Sequence, residues 1–261
     1  MKEICFYQTK IGLYRGDYFL VCYYKYMKNR DIKLSDLTNL KDSWYEKYYN
    51  LINVTARNDS FSHKILHTLI EKPFKTNLNY KILEVGAHNG EHLKFVKSNY
   101  SKYIMTDLRI NLDPTFISEF DNRLSFRLGN VESLPFRNNT FDRVIVTCLM
   151  HHVDDPFSAF QELRRVAKNS GYISVLIPND PGIMYRFLRS LTTSRSAKKA
   201  NLFRESNFIH ALEHRNHFLQ LRVLLEEVFI KDLIKVSAFP FIYPSYNINA
   251  LTCFHITKIS K

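Results

Sequence analysis

Ten histidines occur in the 261 residues, and five of them sit in two short runs, "LMHHVDDP" (His151, His152) and "NFIHALEHRNHF" (His210, His214, His217). Imidazole is the side chain that gains or loses its proton near neutral pH, so such runs suit proton transfer to or from a reacting hydroxyl. In the second run the spacing is i, i+4, i+7, which puts three rings on one face if the segment is helical. A metal reading is also open to such a cluster, but no carboxylate set of octahedral type accompanies it, and no metal is expected. Between the runs, "IPNDPGIMYRFLR" offers Asp180, Tyr185, Arg186 and Arg189, and Arg215 follows His214 directly. Forked guanidinium donors there would meet substrate oxygen or phosphate. A buried, hydrogen-bonded ring or a solvated surface helix is the plain alternative for these residues.

A second constellation precedes them in "KILEVGAHNGEHLKF", residues 81–95. Only seven glycines occur in the chain, and Gly86 and Gly90 stand four apart after a hydrophobic run that contains Glu84. A strand, a glycine turn and a helix start form a nucleotide-binding crevice at the carboxyl end of a parallel strand. A dinucleotide needs G-x-G-x-x-G for close approach of its pyrophosphate, and here His88 stands where the second glycine would be. S-adenosylmethionine carries no phosphate, so a turn with one bulky residue still accommodates it, with Glu84 near the methionine ammonium. Asp107 closes the next predicted strand, where an acid can accept both ribose hydroxyls. An ordinary strand-to-helix turn and a helix cap remain the alternatives for the two features taken singly.

These groups need a scaffold that brings strand ends together. Short apolar runs alternate with amphipathic segments from residue 81 onward, the pattern of a parallel sheet with crossover helices. Strands are predicted at 81–85, 103–107, 124–128, 142–148 and 171–177, with helices near 90–99, 114–121 and 156–168. In the last of these, Phe157, Phe160, Leu163 and Val166 or Ala167 recur at helical spacing. After a basic insertion come a helix near 216–230 and two closing strands near 232–239 and 250–258. Helices near 16–28 and 59–71 are predicted before the sheet. The expected division is an N-terminal helical extension or lid over 1–77 and a catalytic domain over 78–261, within which 179–217 is a substrate lid.

With its motifs in place, the chain resembles the class I S-adenosylmethionine-dependent methyltransferases, in particular their large small-molecule group. The resemblance covers roughly residues 78–178. "ILEVGAHNGEHL" matches the family's first motif, "YIMTDL" its second, "GNVESLPFRNNTFD" the adenine loop and "LMHHVDDP" the segment after strand four. It implies a Rossmann-like α/β fold with a seven-stranded, mostly parallel sheet whose last strand is antiparallel. It assigns cofactor contacts to Glu84, Gly86, Gly90, Asp107, Asn130, Val131 and Glu132, with Ala87, His88, Leu108, Cys148 and His151 lining the same crevice. Two positions depart from the pattern: His88 replaces a glycine, and Asn130 replaces an aspartate while keeping a carbonyl acceptor for the adenine amino group.

Composition narrows the partners. The formal net charge is +12, and it divides into +5 over residues 1–80, +1 over 81–178 and +6 over 179–261. A neutral centre with basic flanks favours an anionic acceptor, including a lipid-linked one at a membrane surface. No RNA-binding module and no N/D-P-P-Y/F tetrapeptide is present, so nucleic acid is an unlikely acceptor. Four scattered cysteines, Cys5, Cys22, Cys148 and Cys253, form no CxxC pair, and no leader or spanning segment is seen, so a cytoplasmic location is expected. The leading expectation is O-methylation of a sugar, glycan or other small molecule, with S-adenosylhomocysteine as product, His152, His210, His214 or His217 as base, and Asp180, Tyr185, Arg186, Arg189 and Arg215 on the acceptor. Stacking on Tyr side chains and Trp44, and association with polysaccharide synthesis, accompany that expectation. Carbon methylation of a quinone precursor, RNA methylation and a non-catalytic cofactor-binding subunit are the rivals.

Overall fold

The computed structural model describes residues 61–74, 79–109 and 122–259. The helices predicted at 16–28 and 114–121, together with Trp44, Cys5 and Cys22, lie outside the described residues. Seven strands form one sheet: β1 (Tyr80–Val85), β2 (Tyr100–Asp107), β3 (Leu124–Leu128), β4 (Phe141–Thr147), β5 (Ala167–Pro178), β6 (Leu233–Phe239) and β7 (Leu251–Thr257). Their order is β3-β2-β1-β4-β5-β7-β6; the first five run parallel, and β7 is antiparallel to both β5 and β6. The strand order reverses between β1 and β4, which opens a crevice at their carboxyl ends, the usual ligand position in open α/β sheets.

Period-two alternation assigns each strand residue to one of two layers. Leu83, Val85, Val144, Val146, Val175 and Phe254 face one layer, while Ile82, Ile145, Leu176 and Cys253 face the other. Helices α2 (Pro156–Val166) and α6 (Phe218–Val228) pack against each other on the first face. Phe160 and Phe229 are completely buried there, each worth roughly 2–3 kcal/mol of apolar burial. Asp155 caps α2 by accepting from the Phe157 and Ser158 amides, and Pro156 fills the first turn where no amide donor is missed. Its buried stripe is Pro156, Ala159, Phe160, Leu163 and Val166; Phe157, expected inside, is 39% exposed.

Helix α1 (Phe61–Glu71) packs against β5, β6 and β7, and the compact unit that contains it spans Glu46–Lys261. A boundary at residue 77 would therefore cut α1 from the sheet it covers. Glu71, at the end of α1, is wholly buried and forms a forked pair with the equally buried Arg143 of β4, at 2.5 and 3.1 Å. The guanidinium also lies 3.6 Å over the Phe74 ring. Burial opposes ionisation of Glu71, but hydrogen bonds from His92 and Arg143 outweigh it and hold the carboxyl down at about 2.

The helix predicted over 90–99 is not formed; only a 3-10 turn, Leu93–Phe95, interrupts the loop. Glu71 is the physical reason. Its carboxylate binds His92 Nε2 at 3.0 Å and the Lys97 amide at 2.9 Å, so donors and side chains that a helix would direct elsewhere are drawn across to α1. After β5, the basic insertion folds as α3 (Ile183–Leu191), α4 (Thr193–Lys199) and α5 (Phe203–Glu213).

Candidate active site

The carboxyl ends of β1 and β2 build the first half of the site. Gly86 has φ +73° and Gly90 +72°, and even His88 is left-handed at +46°. A Cβ at Gly86 would lie 3.0–3.2 Å from the Leu149 side chain, so glycine meets both a backbone and a steric requirement. The turn is pinned to β2: the Gly86 and Ala87 amides donate to the Thr106 carbonyl, and the His88 amide donates to Asp107 Oδ2 at 2.9 Å. Hence His88 serves the turn through its backbone. Asp107 keeps a partly exposed carboxylate at the rim beside Leu108, which is 68% exposed.

Glu84 lies beneath this turn, buried, with Tyr103 donating its hydroxyl at 2.7 Å. Burial pushes the Glu84 carboxyl up, partly offset by the charge of His92 and by the Tyr103 hydrogen bond. An incoming ammonium would supply the countercharge that this acid lacks. In the adenine-loop segment, Asn130 Oδ1 accepts from the Glu132 amide at 3.0 Å and Val131 is buried. The Glu132 carboxylate is engaged within the protein. It accepts from the Asp154 and Asp155 amides, both at 2.9 Å, and so secures the loop after β4.

The second half gathers around His214. Its Nδ1 is 2.7 Å from Asp180 Oδ2, and His210 Nε2 reaches the same oxygen at 3.3 Å. The His210 and His214 rings stand 3.8 Å apart, His151 and His214 4.2 Å, and His151 and His152 4.0 Å. Tyr185 OH lies 3.3 Å from His210 Nε2, and His152 Nδ1 is 3.0 Å from the Glu213 carbonyl. Burial lowers the His214 pKa to about 4 despite the Asp180 hydrogen bond, and burial with neighbouring rings lowers His151 well below its ordinary value. Asp180 is held below the carboxylate range because the His210 and His214 hydrogen bonds outweigh its burial. The pair therefore consists of an ionised Asp180 and a neutral His214 that donates from Nδ1.

Backbone bonds weld the two histidine segments together. The His151 carbonyl accepts from the Arg215 and Asn216 amides, and Asn216 Nδ2 donates to the carbonyls of Met150 and Val153. Asn216 was not among the expected site residues, and nothing in "EHRNHF" distinguishes it. Tyr246 is a second unforeseen neighbour, close enough to Asp180 and Arg186 for their charges to act on its hydroxyl.

His217 lies outside the cluster, and the guanidinium groups of Arg189 and Arg215 are engaged by other side chains. Helix α5 ends at Glu213 with His214 as its non-helical C-cap, so His217 falls outside the ring cluster as the exposed residue before α6. Arg189 donates twice to Asn207 Oδ1 at 3.1 Å and ties α3 to α5. Arg215 pairs with Asp154 on the rim. By contrast Arg186 is exposed, and Cys148 sits at the end of β4 with φ +50° and its amide bonded to the Leu176 carbonyl.

The buried imidazoles define an acid sensitivity. His214 and His255 are held to about 4 by burial, whereas in the unfolded chain they protonate near their ordinary value of 6.5. Between those values the unfolded state binds more protons, so stability falls as pH falls, by up to about 1.4 kcal/mol per pH unit for each ring. The Glu71 contribution is lost in a separate, lower window between 4.5 and about 2. Urea midpoints measured from about pH 7.5 down to 5 are expected to decline throughout the lower part of that range, and His255→Gln to flatten the decline.

Residues 83–175 match the methyltransferase domain family. An uncharacterized methyltransferase of Schizosaccharomyces pombe is 33% identical over 109 residues, 36% of this chain and 38% of that protein's length. A ubiquinone/menaquinone biosynthesis C-methyltransferase of Coxiella burnetii is 34% identical over 53 residues, 20% of this chain and 21% of its own. Among solved structures, phosphoethanolamine N-methyltransferase 2 of Haemonchus contortus, in complex with S-adenosyl-L-methionine, superposes with a TM-score of 0.56 at 11% identity, covering 85% of this chain and 60% of that one. The chain thus has the class I S-adenosylmethionine-dependent methyltransferase fold, with the family match centred on the donor crevice. It spans well under half the length of the first of these curated relatives.

Proposed function

We propose that the protein is an S-adenosylmethionine-dependent methyltransferase that methylates a hydroxyl oxygen of a sugar, glycan or similar small acceptor. The crevice suits the cofactor: Gly86 permits the left-handed turn against Leu149, Asp107 would offer a carboxylate to the ribose, Asn130 and Val131 would border the adenine, and buried Glu84 would meet an ammonium. Bound there, S-adenosylmethionine supplies an electron-poor methyl group on a sulfonium, and S-adenosylhomocysteine is left.

The observation that carries the oxygen reading is the Asp180–His214 pair at the carboxyl edge of the sheet. A hydroxyl is a weak nucleophile, and the cluster of His214, His210 and His152 is placed to receive its proton as the carbon–oxygen bond forms. Asp180 fixes the His214 tautomer so that Nε2 presents its lone pair. Arg186, exposed beside Tyr246 and Asp180, would orient an anionic group of the acceptor. A basic insertion suits nucleotide-linked or lipid-linked sugars, the acceptors of polysaccharide synthesis, and a cytoplasmic site of action belongs to the same proposal. Among the described residues no helix is long and apolar enough to cross a membrane.

Calorimetry tests the donor half. S-adenosylmethionine or S-adenosylhomocysteine is expected to bind and NAD to give no heat, and Asp107→Ala is expected to weaken binding by roughly 1–3 kcal/mol. Unchanged affinity in that variant would remove Asp107 from the cofactor site. An acceptor panel with labelled methyl donor tests the other half. Incorporation into a quinone precursor alone would replace oxygen by carbon methylation, and tight cofactor binding without any product would leave an accessory subunit.

A further inference from the structure

We infer that His151, His152 and His214 form a three-imidazole site for a divalent transition-metal ion, placed where the acceptor oxygen would meet it. The assignment of lone pairs follows from the hydrogen bonds. An ionised carboxylate only accepts, so His214 Nδ1, 2.7 Å from Asp180, carries the hydrogen and its Nε2 is left as a lone pair. A backbone carbonyl also only accepts, so His152 Nδ1, bonded to the Glu213 carbonyl at 3.0 Å, is likewise the protonated nitrogen. His151 is buried, and its Nδ1 has no hydrogen-bond partner, a state that costs about 1–3 kcal/mol unless something occupies the position.

One ligand nitrogen from each of the three rings lies within 4.8 Å of the other two. Around a tetrahedral ion with bonds of about 2.1 Å, such nitrogens stand roughly 3.4 Å apart, so small ring rotations complete the site. The surroundings repeat what metal-bound histidines require, since one ring is held by a carboxylate and another by a backbone carbonyl. Burial keeps the rings neutral, as ligands must be, and a ring held to about 4 is a weak base but a ready ligand. Three protein ligands leave a fourth position open, the arrangement of catalytic zinc sites. Imidazole donors select zinc, nickel, cobalt or ferrous iron over magnesium and calcium. Unlike an octahedral carboxylate site, a three-imidazole site needs no carboxylate ligand.

A second grouping, Asp180, His210 and His214, shares His214 and is the competing site. It would require an ion to displace the Asp180–His214 hydrogen bond, whereas the three-histidine site uses that bond. With an ion bound, the His214 and His152 lone pairs serve as ligands, so the ion rather than those rings would acidify a coordinated acceptor hydroxyl and His210 would receive its proton; that role rests on the oxygen-methylation reading, and the site itself does not. Chelator-treated full-length protein titrated with cobalt, followed by its visible ligand-field bands, and with zinc by calorimetry, reads binding with neither methyl donor nor acceptor present. Failure here is therefore distinct from failure of methyl transfer. A single micromolar or tighter ion is expected, with His152→Ala and His214→Ala weakening it ~100-fold or more, Asp180→Asn ~10–100-fold, and His210→Ala less than about threefold. Circular dichroism of each variant confirms that it is folded. No bound ion, an affinity indifferent to His152→Ala, or a loss confined to the Asp180 and His210 variants would each overturn the assignment.

Discussion

Replacing His214 by alanine is expected to slow methyl transfer ~10²–10⁴-fold while leaving S-adenosylmethionine affinity nearly intact. The ring is the hub of the cluster: Asp180 holds one nitrogen, and His151, His152 and His210 surround it at ring separations of 3.8–5.1 Å. Of the expected cofactor-crevice residues only His151 touches it, since Glu84, Gly86 and Asp107 hang from β1 and β2. Binding and turnover should come apart, read by calorimetry and by labelled methyl incorporation on whichever acceptor reacts. His217→Ala, on the exposed residue before α6, is expected to stay near the wild-type rate. Equal loss of cofactor affinity and rate in His214→Ala would mean that the two halves of the site are not separate, and an unaltered rate would remove the histidine cluster from the chemistry.

The second large effect concerns the fold. Glu71→Ala leaves Arg143 charged, wholly buried and without its forked partner, and breaking such a pair typically costs about 3–5 kcal/mol. The damage should also reach the donor crevice, because Glu71 holds His92 and the Lys97 amide in the loop that follows Gly90. A urea midpoint and a cofactor titration on the same variant measure both. Combining Glu71→Leu with Arg143→Met, which removes both charges, is expected to recover most of the stability. If the double variant is no more stable than Glu71→Ala, the ion pair is not what the single substitution disturbed.

The turn between β1 and β2 was legible in the sequence because its requirements are local. A left-handed turn calls for glycine, and an acid at the end of the next strand follows from strand periodicity, so Gly86, Gly90 and Asp107 announce themselves within 25 positions or so. Strands were legible for the same reason, since alternation and apolar runs are short-range signals. Long-range claims on a side chain were not. Arg189 and Arg215 have the right chemistry for a substrate, but Asn207 and Asp154 use it first. His217 was placed by extending a helical period through His214. The period breaks there because Asp180 captures His214 and the Met150 and Val153 carbonyls capture Asn216. The missing helix over 90–99 has the same origin, a carboxylate from α1 that no local pattern foretells. Glu132 kept its place in the loop but spends its carboxylate on two neighbouring amides.

The Asn216 clamp makes the molecule divisible in an experimentally useful way. All the cofactor-facing groups proposed here before β4 lie between residues 84 and 132, whereas the segment 180–215 brings Asp180, Tyr185, His210, Glu213 and His214 to the cluster. A chimera that exchanges this segment with that of another protein of the same fold tests whether the proposed acceptor side can be changed without disturbing the proposed donor side. The junctions it must respect include the His151 carbonyl with the Arg215 and Asn216 amides, Asn216 with Met150 and Val153, Asn179 with Ala250 and Thr252, the Met184 amide with the Asn247 carbonyl, the Phe218 amide with the Asp180 carbonyl, and His152 with the Glu213 carbonyl. Crossovers placed just after Asn179 and just before Asn216 keep both asparagines with their partners, and the other bonds named use backbone groups of the exchanged segment, which an insert of matching length also offers.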